Sequence, residues 1–129
     1  MVPESLLWFL QEQAAAGTPM ELRVDRTSVV DAPAFLLALD AFTKSGGLKA
    51  GPMPSTYLLG PATLRLRGAA FQLDPKELGT SNAAALMQFM AALGDALKKP
   101  VVLAAPGAEE EALRYNPLLR GFRSPPKKT

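Results

Sequence analysis

The stretch ATLRLRGAAFQL, residues 62–73, carries the strand pattern that decides the fold class. Before Gly68 its leucines alternate with Arg65 and Arg67, which is the period of a strand that buries only one face. The leucines before Gly68 are at even-numbered positions, whereas the apolar residues after it, such as Phe71, are at odd-numbered positions. A β-bulge accommodates a slip of one residue, so we predict one long strand over 62–73 with a bulge at Gly68.

Three further stretches predict strands to accompany this one. Residues 20–25 (MELRVD) alternate strictly between apolar and charged side chains, which again indicates one buried face. Residues 55–59 precede a turn at Gly60-Pro61 that joins them to the long strand. Residues 101–103 (VVL) are apolar throughout, so we expect a strand that is buried on both faces.

Helical spacing of apolar side chains predicts four helices. The first three are expected over residues 3–16, from Asp31 to Gly46, and from a cap within residues 79–82 to Lys99. A fourth, shorter helix is expected over residues 109–116, because a run of glutamates suits the first turn of a helix. It would end where Asn116 meets a proline.

The predicted elements give an α+β fold: an N-terminal helix, then a β-α-β-β-α-β core, then a short C-terminal helical appendage. The core has the order of the split βαβ pattern of ferredoxin-like folds. A chain of 129 residues fits one domain. We expect that domain to cover residues 1–122. Residues 123–129 are rich in proline and lysine and predict a disordered basic tail.

The chain contains no histidine and no cysteine. It therefore lacks the commonest general base, the commonest metal ligand and the thiolate nucleophile. We expect no catalytic residues, no metal and no cofactor, and so a protein that is not an enzyme. The absence of cysteine agrees with a reducing compartment. No apolar run approaches a membrane span and no signal peptide is evident, so we expect a cytoplasmic protein without membrane association.

The net charge of +2 is concentrated at the C-terminus. Residues 1–121 hold eleven of the fourteen basic groups and all twelve acidic groups, which leaves this part of the chain at −1. A nucleic-acid-binding protein usually carries its basic excess on the folded part. The charge distribution therefore makes nucleic acid the less favoured partner.

One face of the predicted sheet could still bind nucleic acid. The alternation predicts that three arginines lie at exposed positions of their strands: Arg23, Arg65 and Arg67. The stretch RGAAF, residues 67–71, also partly resembles the K/R-G-F/Y-G/A-F core of the RNA-recognition motif. Ala69 stands where that motif has a base-stacking aromatic residue. The arginines therefore predict a binding face, with a solvated strand face as the simpler interpretation.

The first helix supplies a second predicted binding surface. Trp8 and Phe9 widen its apolar stripe beyond what a split βαβ core requires. Such a helix either covers the sheet of its own domain or docks onto another chain. Tryptophan is also common among the residues that dominate protein interfaces.

These features favour a small interaction protein of the adaptor, inhibitor or immunity type, acting through Trp8, Phe9 and the arginine face. Its partner would be another protein or a second copy of the chain, as in a homodimer. Nucleic-acid binding is the first alternative. A carboxylate-dependent enzyme is the second, and it would require Asp25 and Asp74 to converge in a cleft.

Overall fold

The computed structural model describes residues 4–25, 32–67, 70–105 and 111–123 of the chain. Within these ranges, helices lie against a single sheet of eight antiparallel strands. The chain is therefore an α+β protein, as its strand alternation and helical stripes predicted.

Three of the four predicted helices are present, and one short helix was not predicted. Asp74 accepts a hydrogen bond from the backbone nitrogen of Lys76 at 2.9 Å and so begins a single helical turn, which the sequence pattern did not predict. A 3-10 turn at Thr80–Asn82 follows it. The proposed cap Asp31 lies outside the described residues. The helices are α1 (Glu4–Ala16), α2 (Ala32–Lys44), α3 (Pro75–Leu78) and α4 (Ala83–Leu97).

The strands form one sheet in the order β2-β3-β4-β5-β1-β6-β7-β8. Their bounds are β1 (Met20–Val24), β2 (Lys49–Ala50), β3 (Thr56–Leu59), β4 (Ala62–Arg67), β5 (Ala70–Leu73), β6 (Val101–Ala104), β7 (Glu111–Asn116) and β8 (Gly121–Arg123). Because β1 lies between β5 and β6, the connection through α3 and α4 crosses over it. The edge strands β2 and β8 have two and three residues, which limits edge-to-edge pairing with other chains.

The sheet is larger than the predicted one. A ferredoxin-like core has four strands, and the described residues form eight, so that specific topology is not established. Strand β6 is buried on both faces, as its unbroken apolar run predicted.

The prediction of one bulged strand over residues 62–73 is wrong. Strands β4 and β5 pair antiparallel, and Arg67 lies directly opposite Ala70. The chain therefore reverses between these two residues, and the predicted bulge at Gly68 falls outside the described residues. A chain reversal flips apolar parity just as a bulge does. This is why the pattern before and after Gly68 was compatible with both.

The predicted C-terminal helix is also wrong. Strands β7 and β8 form an antiparallel pair there, in which Tyr115 lies opposite Phe122. Leu113 and Tyr115 are buried and Arg114 between them is more exposed, so the segment has the period of a strand. Arg123, predicted to belong to the tail, is the last residue of β8.

One face of the sheet carries the core. Leu6 of α1, Leu39 of α2 and Met90 of α4 belong to a single buried cluster with Leu22 and Phe71 of the sheet. Phe71 pairs with Leu22 across β5 and β1, so these two side chains share the helix-covered face. The alternate residues of each strand face the opposite side of the sheet, and the arginines of the strands are among them.

Candidate functional site: the open face of the sheet

Four arginines lie in one row of opposed residues across the sheet. Arg67 pairs with Ala70, Ala70 with Arg23, Arg23 with Val102, Val102 with Arg114, and Arg114 with Arg123. Residues that are directly opposite in neighbouring strands point to the same face of a sheet. We call these six residues, on the adjacent strands β4, β5, β1, β6, β7 and β8, the arginine row.

The arginine row lies on the side of the sheet away from the helices, which we call the open face. Arg67 and Arg123 are exposed, and the side chain of Arg23 keeps 35% of its surface accessible. Val102 is buried, yet it does not belong to the core cluster that the helices cover. The arginines of the row therefore lie on the side of the sheet away from the helix core, and Val102 between Arg23 and Arg114 is covered on that side.

A second row runs beside the first. Arg65 pairs with Gln72, Gln72 with Glu21, and Glu21 with Ala104. The sequence placed Arg23, Arg65 and Arg67 on one exposed face, and the described strands bring all three together there. Arg114 and Arg123 join them, at positions where the sequence pattern predicted a helix and a tail.

Two carboxylates on this face hold the central arginines. The guanidinium of Arg23 lies 3.2 Å from Glu21 on its own strand, and that of Arg114 lies 3.1 Å from Asp25 at the end of β1. Each of these two guanidinium groups therefore already has a carboxylate partner on the same face of the sheet. Within the described part of the chain, Arg67 forms no salt bridge.

A polar groove of about 270 Å³ lies at the end of the open face where β1 begins. One carboxylate at this groove is a helix cap, because Asp74 begins α3. The other, on Glu77, lies 3.4 Å from the backbone nitrogen of Thr63. Both therefore have structural roles. The lining residues are Pro19, Thr63, Arg65, Gln72, Leu73, Asp74 and Glu77.

The structure rules out the pairing of Asp25 with Asp74. Leu73 lies opposite Met20 at the start of β1, whereas Asp25 follows Val24 at its other end. A strand of this length separates them by roughly 15–20 Å at about 3.3 Å per residue. These two carboxylates lie at opposite ends of the strand and cannot share a cleft.

The described residues of the open face include no aromatic side chain. Phe71 is fully buried on the helix side, where its ring lies 5.3 Å from that of Phe89. Tyr115 and Phe122 also face the helix side, with ring centroids 4.9 Å apart. The partial resemblance to an RNA-recognition motif at residues 67–71 is therefore wrong, because that motif stacks bases on exposed strand aromatics.

The two predicted surfaces do not meet. Trp8 is 47% exposed on α1, which packs on the helix-covered side of the sheet. Phe9 is partly buried and packs against the core, so it contributes to the fold. Trp8 and the arginine row thus occupy different sides of the molecule.

Among the described residues no cluster of acidic side chains has the composition of a metal site, and no helix is long and apolar enough to cross a membrane. Comparison with family models, with curated proteins and with solved structures finds no match to the chain. The open sheet face is therefore interpreted from its own geometry.

Proposed function

We propose that this chain is a non-catalytic interaction protein that binds another protein through the open face of its sheet. The observation that carries the proposal is the arginine row. Arginine is enriched among the residues that dominate protein interfaces, because its planar guanidinium binds carboxylates in a bidentate manner. The absence of cysteine from the sequence supports action in the cytoplasm as an adaptor, inhibitor or immunity-type protein.

The charge pattern of the face favours a protein over a nucleic acid. Glu21 and Asp25 lie beside the central arginines, and Asp74 and Glu77 lie at the rim. A protein partner can place basic side chains opposite these carboxylates. A nucleic-acid backbone offers only negative charge, and without exposed aromatics it also loses about 1–3 kcal/mol of stacking per base.

The order of the central strands also supports the face of the arginine row as the binding surface. Strands β4, β5, β1 and β6 are adjacent and antiparallel, which is compatible with a split βαβ core extended by β2-β3 and β7-β8. In such a core the helices pack on one face of the sheet, which here is the face opposite the arginine row.

Nucleic-acid binding is the second candidate function. The specific observation in its favour is that the basic side chains are gathered on one face, although the charge of residues 1–121 is −1. Phosphate contacts by Arg65 and Arg67 would give a steep loss of affinity with rising salt.

Affinity purification of the tagged full chain from cells that make it tests the proposal, with and without nuclease treatment. The diagnostic variant is Arg67→Ala/Arg123→Ala, which removes the two exposed ends of the row. The matched control, Lys44→Ala/Lys98→Ala, also removes two exposed positive charges, from α2 and from the end of α4.

We expect a protein partner that survives nuclease treatment, is lost with the arginine variant and is retained with the lysine control. Recovery that disappears with nuclease would instead establish the nucleic-acid alternative. A partner retained equally by both double variants would contradict binding at the open face.

A further inference from the structure

We propose that the loop between β7 and β8 attaches the protein to a membrane surface that contains anionic lipids. The loop consists of residues 117–120, which lie between the paired residues Asn116 and Gly121. We call these four residues the leucine tip. This surface differs from the arginine row, and the proposal does not depend on the protein partner proposed above.

The leucine tip exposes two adjacent apolar side chains. Leu118 is 87% exposed, which is the largest value for a large apolar side chain among the described residues, and Leu119 beside it is 69% exposed. Single exposed apolar residues are common on protein surfaces, whereas neighbouring ones form a contiguous patch of the kind that marks contact sites. The tip therefore has the character of a contact surface.

The hairpin that carries the tip is fixed to the body of the protein. The side-chain oxygen of Asn116 accepts a hydrogen bond from the backbone nitrogen of Leu118 at 3.0 Å, which holds the start of the loop. Directly below the loop, the rings of Tyr115 and Phe122 lie 4.9 Å apart, and Tyr115 belongs to the core cluster. The two leucines are therefore exposed on an ordered loop above packed aromatic rings.

The sequence around the tip is basic. Residues 112–129 contain no acidic residue and five basic ones: Arg114, Arg120, Arg123, Lys127 and Lys128. Arg120 is an exposed residue of the tip itself. The carboxylate of Asp25 forms a salt bridge with Arg114, and that of Asp95 accepts a hydrogen bond from Tyr115. These two carboxylates offset only two of the five positive charges, so this end of the chain attracts anionic headgroups.

The size of the tip favours a membrane over a protein as its partner. A stable protein interface buries about 800 Å² on each side, and a loop of four residues supplies far less. A lipid surface needs no complementary pocket. Its attraction for a protein increases with the apolar area that enters the headgroup region and with the number of basic groups nearby. The leucine tip combines both features.

The sequence-based expectation of no membrane association rested on the lack of an apolar span and of a signal peptide. Those criteria concern segments that cross a membrane. Attachment to the surface requires neither, because a short apolar element next to basic residues is sufficient. The leucine tip is too short to register in a search for a span.

Helix α2 provides a matched control for the tip. It also exposes two adjacent leucines, Leu36 and Leu37. The charged residues that follow them cancel, because Asp40 forms a salt bridge with Lys44 at 3.0 Å. Exposed leucines without a basic excess should not bind anionic lipid, so α2 separates the effect of charge from that of apolar exposure.

Vesicle sedimentation with the full chain at low salt tests the proposal. One set of vesicles is phosphatidylcholine alone, and the other contains about one-third phosphatidylserine. The variants are Leu118→Gln/Leu119→Gln at the tip and Leu36→Gln/Leu37→Gln on α2. The chain has no cysteine, so Leu118→Cys and Leu37→Cys each permit labelling at a single site with NBD, whose emission shifts to the blue in an apolar environment.

We expect the wild-type chain to bind the phosphatidylserine vesicles at least about tenfold more tightly than the neutral ones. The tip variant should weaken this binding about tenfold, the α2 variant should leave it unchanged, and only NBD at position 118 should shift to the blue.

No binding to either vesicle would overturn the proposal, and so would binding that the tip variant retains or that leaves NBD at position 118 unshifted. Loss of a purified protein partner by the tip variant, without vesicle binding by the wild type, would assign the tip to a protein instead.

Discussion

Arg114 of β7 forms a salt bridge at 3.1 Å with Asp25, which is 89 residues earlier in the sequence and follows the end of β1. The bridge spans β6, which lies between the two strands. It therefore connects the C-terminal strand pair to the centre of the sheet. It also places a negative charge next to the arginine row, where it opposes an acidic partner.

Replacing Asp25 with asparagine should strengthen binding of an acidic polypeptide while costing little stability. The side chains of Arg114 and Asp25 remain 28% and 37% exposed, and such pairs contribute about 0–1 kcal/mol. Removal of one negative charge beside the row should raise the affinity for poly-L-glutamate about two- to threefold. Urea unfolding and a binding titration measure the two effects. The control is Asp40→Asn, which breaks the exposed pair with Lys44 on α2. Weaker binding by Asp25→Asn than by this control would contradict the prediction.

The hydroxyl of Tyr115 should make stability fall at high pH. It donates a hydrogen bond at 2.6 Å to Asp95, and this bond, with burial, raises the pKa of Tyr115 above its usual value. A raised pKa in the folded state means that the contribution is complete below about pH 10 and is lost as pH rises through the folded-state value. Above pH 10 the urea midpoint of the wild-type protein should therefore decline more steeply than that of Tyr115→Phe.

At neutral pH the same Tyr115→Phe change should cost about 1 kcal/mol, the usual value of a hydrogen bond. Tyr57→Phe is the control for general effects of tyrosine ionisation, since Tyr57 lies on β3. Parallel pH profiles for wild type and Tyr115→Phe would show that the Asp95 hydrogen bond does not couple folding to this ionisation.

Replacing Gly94 with alanine should destabilise the protein although alanine favours helices. A Cβ atom at this position of α4 would lie 2.7 Å from Cδ2 of Tyr115 and 3.2 Å from the carbonyl oxygen of Lys99. Overpacking of this kind costs about 1–3 kcal/mol, which exceeds the roughly 0.5–1 kcal/mol gained from helix propensity. Urea unfolding measures the change, with the exposed Gln88→Ala on the same helix as control. A Gly94→Ala protein as stable as wild type would disprove the close packing of α4 against β7.

The fluorescence of Trp8 distinguishes the two surfaces that the sequence predicted. Trp8 is the single tryptophan of the chain and is about half exposed on α1. Because α1 lies on the opposite side of the sheet from the arginine row, binding at the row should leave acrylamide quenching of Trp8 unchanged. Protection of Trp8 at saturating partner would instead place the interface on α1.

Much of the fold follows from local periodicity. The alternation in residues 20–25 predicted β1 and its exposed Arg23, and helical stripes predicted α1, α2 and α4. Each of these patterns is set by a single face of a single element, which is why a short stretch of sequence suffices. The common exposed face of Arg65 and Arg67 followed from the same alternation.

The rest depended on strand pairing, which local periodicity does not determine. A bulge at Gly68 and a chain reversal between Arg67 and Ala70 would give the same change of parity, and only the pairing partner of Arg67 distinguishes them. Arg114 was missed because the preceding glutamates indicated a helix start. The alternation of Leu113, Arg114 and Tyr115 was the signal that could have identified β7.

The most direct test of the central claim is amide chemical-shift mapping of the ¹⁵N-labelled full chain with the protein partner recovered by purification. If the open face is the interface, the largest changes will fall on the arginine row, from Arg67 through Arg23 to Arg123, and the amides of α2 will not move. Changes centred on α1 around Trp8, with the row unaffected, would contradict the proposed interface.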